Sequence, residues 1–91
     1  MIPTFRGSPL VPTKAAADEL AEIKGDLWLV KEVLERGYDC RSRDRKEGEL
    51  EMCLRKKDGF LKVVVARSHS RHLRREVWVV VHVARFGGER T

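Results

Sequence analysis

Glu76-Val77-Trp78-Val79-Val80-Val81-His82-Val83-Ala84-Arg85-Phe86 decides how this chain is read. It is the longest β-rich run in the sequence, and it is apolar at both parities. A strand with one wet face alternates; a strand covered on both faces does not. The run is therefore expected to be a sheet strand with cover on both faces and a neighbour at both edges.

The material upstream supplies that cover. Pro3, Pro9 and Pro12 make residues 1–12 an extended arm, which Ile2, Phe5, Leu10 and Val11 can pin to the body. Thr13 reads as an N-cap for a helix over 14–24, with Ala16, Leu20 and Ile23 on one stripe. Gly25 ends it. Asp26 caps a second helix over 27–36, with Leu27, Val30 and Leu34 on one face and Gly37 as the stop. Helices this short need an apolar support, and Trp28 is expected to join that contact.

Residues 38–48 read as a charged loop. Glu49 to Arg55 alternates, with Leu50, Met52 and Leu54 inward and Glu49, Glu51 and Arg55 outward. Lys56-Lys57-Asp58-Gly59 is a hairpin turn, and Phe60 to Arg67 is the next strand, with Leu61, Val63 and Val65 on one side. Ser68 to Arg75 reads as a second polar loop. The expected fold is α+β: two N-terminal helices packed on a three-stranded antiparallel β-meander. The domain covers 13–86, after the arm and before a disordered tail at 87–91. In a simple meander the last strand is an edge, long and apolar, which is a pairing hazard. It is expected to pair with the arm or, in a symmetric homodimer, with its own counterpart.

Composition bounds the function. The 91 residues suit one domain with a small core. Charged residues make up 36%, and the chain contains neither Asn nor Gln, as expected of a heat-adapted protein. Net charge is +5, unevenly spread. Residues 1–37 hold five Lys/Arg against six Asp/Glu; residues 38–91 hold fourteen against eight. A basic strand half favours a polyanion such as RNA, or an acidic protein partner; the plainer reading is a solvated surface. No apolar segment approaches the length needed to span a bilayer, and no signal peptide is read, so a cytoplasmic location is expected.

His69 and His72 sit beside Arg67, Arg74 and Arg75 in the second loop. Imidazoles among guanidiniums can move protons while the arginines hold a phosphate, although a solvated loop explains the same composition. His82 reads as a packed or hydrogen-bonded sheet histidine in phase with Trp78, Val80 and Ala84, and Arg85 lies in the opposite phase near the strand end. Arg41, Arg43, Arg45 and Lys46, with Arg55, Lys62, Arg71, Arg74 and Arg75, form the candidate basic surface. Two cysteines make no disulfide framework, and Cys53 reads as a small apolar strand residue. Cys40, Cys53, His69 and His72 lack the paired spacing of a zinc site, and no cofactor motif is present, so neither metal nor cofactor is expected.

The order of elements carries a resemblance. The helix Leu27-Trp28-Leu29-Val30-Lys31-Glu32-Val33-Leu34-Glu35-Arg36-Gly37 leads through a charged loop to Leu61-Lys62-Val63-Val64-Val65, then Val77-Trp78-Val79-Val80-Val81-His82-Val83. Residues 25–86 thus resemble a small family of uncharacterised prokaryotic domains placed near the RelE/ParE and BrnT toxins. RelE-type toxins cleave messenger RNA on the ribosome with basic and aromatic or histidine side chains of the sheet. The resemblance implies an RNA-directed domain, a ribonuclease in its fullest form. It makes Arg67, His69, His72 and Arg85 the matching positions and an acidic antitoxin-like protein the partner. Where that family often carries a His-Ala-Arg-type segment before the second helix, this chain has Ala15-Ala16-Ala17-Asp18. The alternative is a non-catalytic interaction or dimerisation module built on the last strand.

Overall fold

Two short polar side chains start the two helices. In the computed structural model, which describes residues 2–40, 47–57 and 59–87, the Thr13 hydroxyl accepts from Ala16 N at 3.0 Å and opens α1, Lys14–Glu22. The Asp26 carboxylate accepts from Leu29 N at 3.1 Å and opens α2, Leu27–Arg36. Each cap satisfies a first-turn amide and contributes about 1 kcal/mol. The strands are β1 Thr4–Phe5, β2 Ser8–Pro12, β3 Tyr38–Asp39, β4 Glu49–Lys56, β5 Gly59–Ser70 and β6 Arg75–Gly87.

The six strands form one mixed sheet in the order β1-β2-β6-β5-β4-β3, curled into a half-barrel. This corrects the expected three-stranded antiparallel meander. The arm is part of the sheet: β2 runs parallel to β6, with Leu10 opposite Trp78 and Pro12 opposite Val80. Its prolines are tolerated because the residues beside them keep their donors. Leu10 N bonds Pro3 O on one side, and Thr13 N bonds Val80 O on the other, both at 3.0 Å. Of the two pairings expected for the last strand, the one with the arm is realised. β6 therefore lies inside the sheet rather than at an edge open to a second subunit. Residues expected in the first loop supply β3, which pairs Tyr38 with Cys53 and Asp39 with Met52.

β6 is apolar at both parities because both of its faces are covered where it starts, at Val77 and Trp78, and because a bulge then shifts its phase. Val80 faces Val65 and His82 faces Val64, so Val81 is the extra residue. Trp78 and Val80 share a face before the bulge and Val83 takes it after, so His82 is not in phase with Trp78 and Val80. His82 Nδ1 instead lies 3.0 Å from Glu19 Oε2, and Glu19 Oε1 accepts from Val83 N at 2.9 Å. The carboxylate of α1 thereby occupies the β6 edge beyond the reach of β2.

One face of the sheet packs against Ala16 and Leu20 of α1 and Val30, Val33 and Leu34 of α2, through Val63, Val65, Val80 and Val83. Trp28 does not join this contact and is 49% exposed. It projects from the far side of α2 relative to Val30 and Leu34. By alternation, Glu51, Cys53 and Val64 belong to the other face, and they too are buried. Glu51, expected outward, is 2% exposed, and its Oε2 lies 2.6 Å from Lys62 Nζ.

Cys40 and Cys53 form a disulfide, Cα–Cα 5.9 Å. The strand alternation at Cys53 was visible in the sequence; the pairing of β3 that brings Cys40 alongside was not. At Gly37 the two segments approach so closely that a Cβ would collide with the carbonyl oxygens of Cys53 and Val33. No helix among the described residues is long and apolar enough to cross a membrane.

Candidate nucleic-acid interface

The β5–β6 hairpin outruns its neighbours. Pairing of β4 with β5 stops at Glu49 opposite Ala66, and Gly48 O then accepts from Arg67 N at 3.0 Å. Beyond that point Ser68–Val77, His69–Glu76 and Ser70–Arg75 pair with each other alone before the turn Arg71–Arg74 closes the ribbon. Residues 68–75, expected as a loop, are therefore mostly strand. They lack alternation because neither face has a core to sort side chains against. The turn is held by Leu73 N donating to Ser70 Oγ at 3.1 Å, with Arg74 in the left-handed region at φ 55°.

This end of the sheet collects positive charge. Arg67, Arg71, Arg74 and Arg75 are all exposed, as are His69 and His72. Glu76 is the only carboxylate on the ribbon. Its Oε2 lies 3.2 Å from His69 Nδ1 and its Oε1 lies 3.9 Å from Arg67 Nε. The Arg67 guanidinium sits 5.0 Å over the Trp78 ring. Trp78 is buried, packs on Phe5 with centroids 5.7 Å apart, and donates from Nε1 to Phe5 O at 3.0 Å. Arg6 lies 4.9 Å from the Phe5 ring centre. The Arg75 guanidinium donates to Gly7 O at 2.7 Å, tying the ribbon to the β1–β2 turn. The arm thus contributes a fifth arginine to this surface, with Arg6 over Phe5 and Arg67 over Trp78.

Of the four residues matched to a catalytic role, Arg67 and His69 meet at one carboxylate, and His72 stands in the turn close by. Arg85 does not converge with them. It faces Leu61, six residues along β5 from Arg67, or roughly 20 Å at the rise of a strand. There it lines a cavity of about 280 Å³ with Ile23, Leu29, Lys56, Lys57, Phe60 and Leu61. Among the proposed basic residues, Arg71, Arg74 and Arg75 belong to the ribbon, whereas Arg55 faces Phe60 at the opposite end and Lys62 is engaged by Glu51. Arg41, Arg43, Arg45, Lys46 and the turn residue Asp58 lie outside the described residues. The sequence reading missed Glu76 and Arg6. The signal for Glu76 was its place opposite His69 once a hairpin closes at 71–74; Arg6 becomes visible only when the arm is known to pair with β6. Comparison with family models, curated proteins and solved structures found no match.

Proposed function

We propose that this chain binds RNA through the exposed end of the β5–β6 ribbon. The observation that carries the reading is charge in one place. Arg6, Arg67, Arg71, Arg74 and Arg75 face solvent around a single carboxylate, Glu76, already in contact with Arg67 and His69. Such a surface matches a phosphate backbone, and arginine forks suit phosphate oxygens. Affinity for a labelled RNA, followed by fluorescence anisotropy, then falls steeply with salt. Four neutralised phosphates correspond to a log–log slope of about −3 to −4. No binding at low salt removes the proposal.

Ribonuclease activity is the stronger form of the same reading. The His69–Glu76 contact gives a histidine oriented by a carboxylate, the arrangement of a general base, with Arg67 beside it for the phosphate. Under this form His69→Ala abolishes cleavage while leaving binding largely intact. A His69→Ala, His72→Ala double variant that still cleaves removes these histidines from catalysis, and an unaltered chain that leaves the RNA intact leaves binding as the whole function. The alternative of a module that dimerises through its last strand loses its motive, since β2 and Glu19 occupy that edge within the chain.

A further inference from the structure

We infer that the cavity at the opposite end of the β5–β6 hairpin binds an anionic amphiphile: one alkyl tail of about eight carbons carrying a carboxylate or phosphate head. The inference goes beyond the RNA reading and does not rest on it. Leu61 and Arg85, which face each other here, lie roughly 20 Å along the sheet from Arg67. Two observations carry it. The first is an apolar hollow between the layers. Ile23, just past the end of α1, and Leu29, in the first turn of α2, form its helix side, and both are half-buried. Leu61 and Phe60 of β5 form its sheet side, Leu61 buried and Phe60 36% exposed. The hollow measures about 280 Å³. That is room for about nine groups the size of a water molecule, near the lower bound of small-molecule sites.

The second observation is where the charge stands. Lys56, Lys57 and Arg85 complete the wall, and no carboxylate among the described residues lines it. Lys56 Nζ is held by Glu32 Oε1 at 3.0 Å, whereas Lys57 makes no ion pair among the described residues. A second hollow of about 350 Å³ shares Lys56, Lys57 and Phe60 with the first, and is otherwise lined by Arg55, Gly59 and Gly87. An apolar space thus adjoins a cationic one. A tail leaves water in the first, while its head meets Lys57 and Arg55 at the second and stays hydrated. An inorganic anion would leave the apolar walls wet, and an uncharged tail would leave the cations unanswered. A nucleobase would set its ring donors and acceptors against Ile23, Leu29 and Leu61, whose side chains have no polar atom to receive them.

The test is calorimetric titration of the full chain, below micelle-forming concentrations, with butanoate, hexanoate, octanoate, decanoate and dodecanoate, then with octyl phosphate, octanol and inorganic phosphate. A 1:1 complex with octanoate or octyl phosphate is expected, with Kd below about 1 mM, and the comparison of the two identifies the head. Affinity rises about twofold to fourfold per methylene up to about eight carbons and then levels. Octanol and inorganic phosphate each bind at least about fivefold more weakly. A Lys57→Gln, Arg55→Gln double variant weakens octanoate by about fivefold, and Lys14→Gln on α1 leaves it unchanged. Leu29→Trp narrows the hollow and lowers the chain length at which affinity levels; should it fail to fold, the series on the unaltered chain decides alone. Absence of saturable binding by both octanoate and octyl phosphate overturns the inference. So does octanol binding as tightly as octanoate, an affinity that climbs through dodecanoate without levelling, or a folded double variant that binds octanoate unchanged. Adsorption to phosphatidylglycerol vesicles without a 1:1 complex of either amphiphile also overturns it, and makes this end a membrane contact. The RNA reading stands or falls separately, on the anisotropy measurement at the ribbon.

Discussion

Reducing the Cys40–Cys53 disulfide tests the architecture at a point the sequence did not disclose. The bond closes a loop between residues thirteen apart, from β3 into the middle of β4. Most of its effect falls on the unfolded chain, which loses the freedom to open that loop. For a loop of this length the chain-entropy relation gives about 3 kcal/mol. A domain of this size shifts roughly 4–8 °C in melting temperature per kcal/mol, so reduction lowers Tm by about 12–24 °C. Folded structure should survive, because total stability for such domains is about 5–15 kcal/mol and the core on the helix side is untouched. The assay is thermal unfolding by circular dichroism with and without dithiothreitol, beside thiol titration of the denatured, unreduced protein. No free thiol is expected before reduction and two after. A Cys40→Ala, Cys53→Ala variant should melt close to the reduced protein. Two titratable thiols in unreduced material, or a Tm change below about 3 °C on verified reduction, refutes the reasoning.

Two further perturbations probe other joints of the fold. Gly37→Ala drives a methyl against the carbonyl oxygens of Cys53 and Val33, both of them backbone. It should cost about 1–3 kcal/mol in urea denaturation, and an unchanged midpoint would show that the α2–β4 approach is looser than described. Glu19→Ala strips the acceptor from Val83 N and the partner from His82; a loss of about 1 kcal/mol by the same measurement is expected, and none if water replaces the carboxylate.

What could be read in the sequence was whatever leaves a local signature. Thr13 and Asp26 cap the helices where their side chains suggest, and the alternation of Leu50, Met52 and Leu54 places the inner face of β4. What stayed hidden depends on partners distant in the chain. β2 reads as an extended arm rather than a strand because Pro9 and Pro12 suppress strand propensity, and only Trp78 and Val80, nearly seventy residues on, supply its ladder. The Val81 bulge has no signature in a run of valines, so the phase of His82 came out reversed. Residues 68–70 and 75–76 form strand by pairing backbone to backbone, with no buried face to impose a pattern. The candidate site divides the same way. Arg67 and His69 are two residues apart in the sequence, so their nearness was legible although the strand that carries both was not. Glu76 needed the hairpin register, Arg6 needed the arm, and Arg85 was grouped with them only by resemblance.

The outermost strands, β1 and β3, are two residues long apiece. A growing fibril or an errant neighbour needs a run of unsatisfied amides and carbonyls to template on, and these rims offer barely one repeat of it. A sequence packed with consecutive valines would otherwise invite amyloid-like stacking. Placing those valines in the middle of the sheet, with stubs at its margins, lets the chain keep an aggregation-prone segment without displaying it.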